Sequence, residues 1–208
     1  DGILVELAAS LINNDNDGRA IIKYWREIRT IFDEKYPECV LISEWSHPSR
    51  AIAAGFHIDF LIHAVFPAYT SLFRAEDERN VPRIFFGNSF IDTRGNGNIE
   101  TFLNDYLDEY EKTKDRGFIS IPTGNHDLAR ISYGRTNTEL EVIFAFIMTM
   151  PGIPFVYYGD EIGMEYIPDM PSKEGGFTRT GSRTPMQWKK GKNAGFSDGA
   201  KELLYLPV

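Results

Sequence analysis

The sequence has one cysteine, Cys39, so no disulfide can close within the chain. Cys39 lies inside an apolar run and reads as a small buried hydrophobe. Such sparing use of cysteine fits a reducing compartment such as the cytoplasm. The N-terminus has no secretory leader pattern. No apolar run approaches the roughly 20 residues that a membrane-spanning helix needs. The most apolar stretch, 142–158, is broken by Pro151, Gly152 and Pro154, so no membrane partner is expected. Positive charge is also short. With 22 Lys and Arg against 30 Asp and Glu, the net charge is −8, which lacks the basic footprint of a nucleic-acid binder. Gly95 and Gly97 neither follow a strand nor open a phosphate-binding turn, which argues against a nucleotide site. His47, His57 and His63 show no paired ligand spacing, so neither a metal nor a cofactor is expected.

What is present suits a globular domain. Hydrophobic residues make up 42% of 208 residues, enough for a sizeable core, and aromatics reach 13%. Most of those aromatics are assigned to the core, although sugar clefts also use aromatic platforms. Apolar runs predict strands near residues 2–7, 39–44, 58–62, 118–123 and 154–158. Between them lie helical patterns. Ile21, Ile22, Trp25, Ile28 and Phe32 recur at three- and four-residue spacing in a helix over 19–36, which Pro37 ends. Residues 48–54 suit a short helix. Ile99, Phe102, Leu103, Tyr106 and Tyr110 share one face of a helix over 99–112. Ile143, Phe146, Ile147 and Met150 do the same over 138–150, where Thr138 and Glu141 match a capping box. Residues 63–98 read as irregular, and residues 159–208 as long loops. Strands alternating with helices imply an α/β fold with a parallel sheet.

Two of these apolar runs end in acids. Cys39-Val-Leu-Ile-Ser-Glu44 closes on a carboxylate. Phe118-Ile-Ser-Ile-Pro-Thr-Gly-Asn-His-Asp127 closes on another and adds an imidazole. Acids at the C-terminal mouths of repeated strands are how a (β/α) barrel builds a glycosidase site. Glu44 precedes Trp45, and a carboxyl against an indole would lose hydration and gain the raised pKa of a general acid. A surface glutamate opening a loop is the competing interpretation. Asn125, His126 and Asp127 are equally compatible with an Asx-type turn and with sugar binding. Glu6 also ends a strand, Leu4-Val-Glu6, where local context alone favours an ordinary charged residue.

Several segments resemble a known family. Asp1-Gly-Ile-Leu-Val-Glu-Leu-Ala8, Ile42-Ser-Glu-Trp45 and Gly124-Asn-His-Asp127 resemble the fourth-, fifth- and seventh-strand motifs of the α-amylase family, glycoside hydrolase family 13. Tyr157-Tyr-Gly-Asp-Glu-Ile-Gly-Met164 with Arg183-Thr-Pro-Met-Gln-Trp188 and Asn193-Ala-Gly-Phe196 resembles the end of the barrel in α-glucosidases, oligo-1,6-glucosidases and trehalose synthases. The resemblance implies a partial (β/α)8 TIM barrel over 1–208, strands four to eight with their helices. It implies a retaining hydrolase or transglycosylase for an α-glucoside or oligosaccharide. Glu44 would be the acid/base, Glu6 would stand at the nucleophile position, and Asp127 would stabilise the transition state, with His126 and Asn125 holding the sugar. Two positions depart from the pattern. The family has aspartate where Glu6 stands, and arginine where Leu4 stands. The alternative is an inactive half-barrel that binds sugar weakly or only self-associates. Open sheet edges would favour a homo-oligomer.

Overall fold

The first helix is started from outside itself. Gly18 precedes it in the left-handed region, φ 69°. The leading amides of Ala20 and Ile21 meet the carboxylate of Asp15 at 3.2 and 2.8 Å, which satisfies donors that a helix leaves open at its start. In the computed structural model, which describes residues 1–61, 67–73, 89–93, 97–171 and 178–208, this helix is α1, Arg19–Lys35. The other helices are α2 (Pro48–Ala54), α3 (Pro67–Phe73), α4 (Ile99–Thr113) and α5 (Asn137–Thr149). Among the described residues four strands, β1 (Gly2–Val5), β2 (Val40–Ser43), β3 (Ile58–Phe60) and β4 (Phe118–Ser120), form one sheet in sequence order. Every pairing is parallel, as the alternation of strand and helix patterns requires.

The described chain divides into two compact units. The first holds residues 1–69, 98–122 and 149–155, and so contains the sheet with α1, α2 and α4. Its core gathers Ala8, Ile21, Trp25, Leu41, Trp45, Ala51, Ala54 and Phe56, with Val5, Ile22, Ile28 and Phe32 packed against it. Trp25 joins the layers: its ring lies 4.8 Å from Phe56, and its indole N–H donates to Ala8 O at 2.9 Å. Gly55 turns the chain between α2 and β3 at φ 113°, and a Cβ there would meet Arg29 Cβ at 2.9 Å. The aromatic face of α4 stacks along its length, Phe102 on Tyr106 at 5.4 Å and Tyr106 on Tyr110 at 5.9 Å. The start of α2 is capped from α4. Glu109 accepts from the Ser49 amide (2.6 Å) and hydroxyl (2.9 Å), where a local cap is missing.

The second unit holds residues 70–97, 123–148 and 156–208. Its helix α5 opens on Thr136 and Glu139, not on Thr138 and Glu141. Thr136 Oγ1 accepts from the Glu139 amide, and Glu139 Oε2 accepts from the Thr136 amide at 2.7 Å. Thr93 adds two donors to Glu139 Oε1. Burial pushes the Glu139 carboxyl up, but the bonds from Thr136 and Thr93 outweigh it and hold the group down at about 2. Arg130 is fully buried. Its Nη1 donates to Tyr158 O (2.6 Å) and Asp160 Oδ1 (3.3 Å), while the guanidinium lies over Tyr157 and Tyr158. Thr123 donates to the other Asp160 oxygen at 2.7 Å.

Two expectations need correction. The strand expected over 154–158 is reduced to one bridge, Pro122 with Phe155. Pro154 has no N–H for a ladder, and the Tyr157 amide turns to Thr123 Oγ1 at 2.9 Å. Residues 67–73, expected to be irregular, form α3. Ala68 with Leu72, and Tyr69 with Phe73, are buried i,i+4 pairs. His63, Gly95 and the end of the 58–62 strand lie outside the described residues.

Candidate active site

The register of β1 and β2 fixes where the first acids emerge. Val5 pairs with Ser43, and the next residue on each strand is a glutamate, Glu6 and Glu44. The Glu44 amide donates to Val5 O at 2.9 Å, which carries the pairing to the rim. Both glutamates therefore stand at the C-terminal ends of adjacent parallel strands. Glu6 is exposed and Glu44 is half-buried. Leu4, two residues before Glu6, is 51% exposed, and Leu7 after it adopts φ 53°. Trp45 does not stand in a cleft: it is buried in the core of the first unit with its ring 6.3 Å from Phe56.

The second unit carries the segment ending in Asp127. Asn125 forms the Asx-type turn that its sequence allows, its Oδ1 accepting from the amides of Asp127 (2.9 Å) and Leu128 (3.1 Å). The Asn125 Nδ2 is buried and has no hydrogen-bond partner among the described residues. Asp127 is held by two arginines, Arg179 and Arg183, the second of which opens the Arg183–Trp188 motif. Arg179 Nη1 lies 2.6 Å and Arg183 Nη2 3.1 Å from Asp127 Oδ1. Arg183 also donates from Nε to His126 O at 2.9 Å, so one guanidinium ties both residues together. His126 Nε2 is 3.8 Å from Asp127 Oδ1, beyond hydrogen-bond reach. With its side chain 15% exposed between two cations, Asp127 is an oriented carboxylate suited to hydrogen-bonding a hydroxyl or facing a developing positive charge. The signal for the arginines was present in Thr178-Arg-Thr-Gly-Ser-Arg183, but a loop without periodicity gives no direction for its side chains.

No group of three or more His, Cys, Asp or Glu that could hold a metal ion is found among the described residues. His57 spends its Nδ1 as an acceptor for the Leu41 amide at 3.0 Å, and burial pushes its pKa down.

Residues 10–208 match the family described as alpha amylase, catalytic domain. Maltase A2 of Drosophila melanogaster is 33% identical over 112 residues, 54% of this chain and 18% of the maltase. Trehalose synthase/amylase TreS of Mycolicibacterium smegmatis is 42% identical over 69 residues, 33% of this chain and 11% of the synthase. The human amino acid transporter heavy chain SLC3A1 is 29% identical over 117 residues, 56% of this chain and 17% of that protein. Among solved structures, Eubacterium rectale Amy13B superposes with a TM-score of 0.61 at 18% identity, covering 97% of this chain and 36% of its own. The aligned stretches are thus a fifth or less of these curated relatives.

Proposed function

This chain belongs to the α-amylase catalytic-domain family, and from that premise we propose that it is part of a retaining hydrolase or transglycosylase acting on α-glucosides. In this reading β1 to β4 are the fourth to seventh strands of a (β/α)8 barrel, and Phe155 marks the position of the eighth. The observation that supports the proposal is the in-register pairing of β1 and β2, whose last pair, Val5 with Ser43, immediately precedes Glu6 and Glu44 in the chain. Neighbouring strands are about 4.8 Å apart. Retaining glycosidases need their two carboxyl groups roughly 5–5.5 Å apart, and inverting enzymes need about 6.5–9.5 Å. Adjacent strand ends suit the first spacing.

Glu44 would protonate the departing oxygen while the carboxylate at position 6 attacks the anomeric carbon. Glu44 would then take a proton from the acceptor, water or a sugar hydroxyl, as it displaces the enzyme carboxylate. By the family pattern Asp127 stabilises the transition state, and Arg179 and Arg183 keep it oriented. His126 and Asn125 are assigned to the sugar, and the buried Nδ2 of Asn125 is a donor suited to that task. Replacing Glu44 with Gln removes the proton and keeps the shape. Turnover of an aryl α-glucoside by the intact protein should fall by about 10²–10⁴-fold. Unchanged turnover would reject the assignment.

Leu4 favours a second reading. It stands where the family places an arginine, and an exposed leucine offers the carboxylate beside it no counter-charge. One relative, SLC3A1, is an amino acid transporter heavy chain. Under this reading the protein is an inactive barrel, and the intact wild-type protein shows no turnover above buffer in the same assay.

A further inference from the structure

Asp59 is a carboxylate that the proposed chemistry leaves unused. It lies in the middle of β3, is fully buried, and pairs in register with Ser43 on β2. Its Oδ1 accepts from the Ser43 hydroxyl at 2.6 Å and from the Trp45 amide at 2.9 Å. Its Oδ2 accepts from the His47 amide at 2.9 Å. The three donors bracket Glu44, one residue before it and one and three residues after. Between the last two, buried Ser46 holds φ 62°, a conformation that costs a non-glycine residue free energy and persists only where neighbours enforce it.

We propose that Asp59 is the positioning residue for Glu44, its carboxylate clamping the turn that leaves β2 so that the glutamate is presented in one orientation. The proposal rests on Glu44 being the acid/base. Its stereochemistry is strict: the Trp45 and His47 amides can only donate, one to each oxygen, so both oxygens of residue 59 must accept. Asparagine offers one oxygen and turns an NH2 toward the remaining donor. The Glu44 backbone is then fixed from two sides, through Val5 O on β1 and through Asp59 on β3. Misplacement of a reacting group by about 1 Å can cost on the order of 100-fold in rate.

The test is Asp59→Asn in the intact protein, assayed on an aryl α-glucoside and by amide hydrogen exchange. The expected result is a kcat lower by roughly 10- to 100-fold with KM within about threefold. The Trp45 and His47 amides should exchange at least about tenfold faster, while those of Phe118 and Ile153, which bond to His57 O and Ile119 O, stay unchanged. Unaltered exchange at Trp45 and His47, or faster exchange with full kcat, overturns the proposal. Glu44→Gln in parallel separates the two claims. Full turnover there overturns the acid/base assignment and the clamp's purpose with it. Loss there with unchanged kcat in Asp59→Asn overturns the clamp alone. If Asp59→Asn does not fold, Ser43→Ala removes one donor and keeps the carboxylate. It should lower kcat by about threefold and speed Trp45 exchange, and no change in either is contrary.

Discussion

Two acids, Asp127 and Asp59, behave differently because of what surrounds each. Asp127 has two guanidinium groups on one oxygen. Asp59 has neutral donors only among its named partners, and burial pushes its carboxyl up to about 7, against the opposing pull of Ser43 and the amides of Trp45, His47 and Phe60. The consequence for stability follows from linkage. Between about pH 4 and 7 the folded chain binds a proton at Asp59 that the unfolded chain has released. Asp59's contribution is therefore fully present below pH 3.8 and is lost as pH rises through about 7. Denaturant titrations of the wild type and Asp59→Asn should show a falling difference of a few kcal/mol across that window and a flat one above it. A difference independent of pH would refute it. At this scale the sequence was legible where chemistry follows local position. Glu6 and Glu44 end their strands, and Asn125 makes its turn. The hold of Arg179 and Arg183 on Asp127 was not legible, because they reach it across more than 50 positions from turns whose side-chain directions only the fold sets.

Elements in this chain depend on partners more than on their own sequence. The first turn of α2 takes its cap from α4, through Glu109. Capping residues contribute about 1 kcal/mol, and a cap bonded through a carboxylate more. Glu109→Ala should lower stability by roughly 1–2 kcal/mol, read as a shift of the urea midpoint at constant slope. A shift near zero would mean that Ser49 finds water instead. The amphipathic helices α1, α4 and α5 were legible because three- and four-residue spacing survives any context. The misreadings arose where context decided. Thr138 and Glu141 fit the capping pattern, but Thr136 and Glu139 form it with help from Thr93. The apolar run after Pro154 looked like a strand, yet Thr123 takes its Tyr157 amide. Seven-residue α3 was too short to show a period against its loop-like surroundings.

At the scale of the whole molecule, the sheet has an open side. Among the described residues β1 pairs only with β2, and Ile3 and Leu4 on it are 46% and 51% exposed. An apolar edge with unpaired backbone groups is a template for another strand. The 208-residue chain by itself should therefore self-associate in light scattering, and Leu4→Lys should shift it toward monomer. A clean monomer at micromolar concentration would contradict this. The parallel α/β architecture was legible from the alternation of patterns, and the family from motifs spread over the chain. The account as a whole stands on Glu44 giving a proton to a leaving group, and leaving-group dependence tests that most directly. Maltose needs its departing oxygen protonated, whereas α-glucosyl fluoride needs far less help. In the intact protein, Glu44→Gln should lose about 10²–10⁴-fold on maltose while still releasing its first equivalent of fluoride at a rate close to wild type. Equal losses on both substrates would contradict the account.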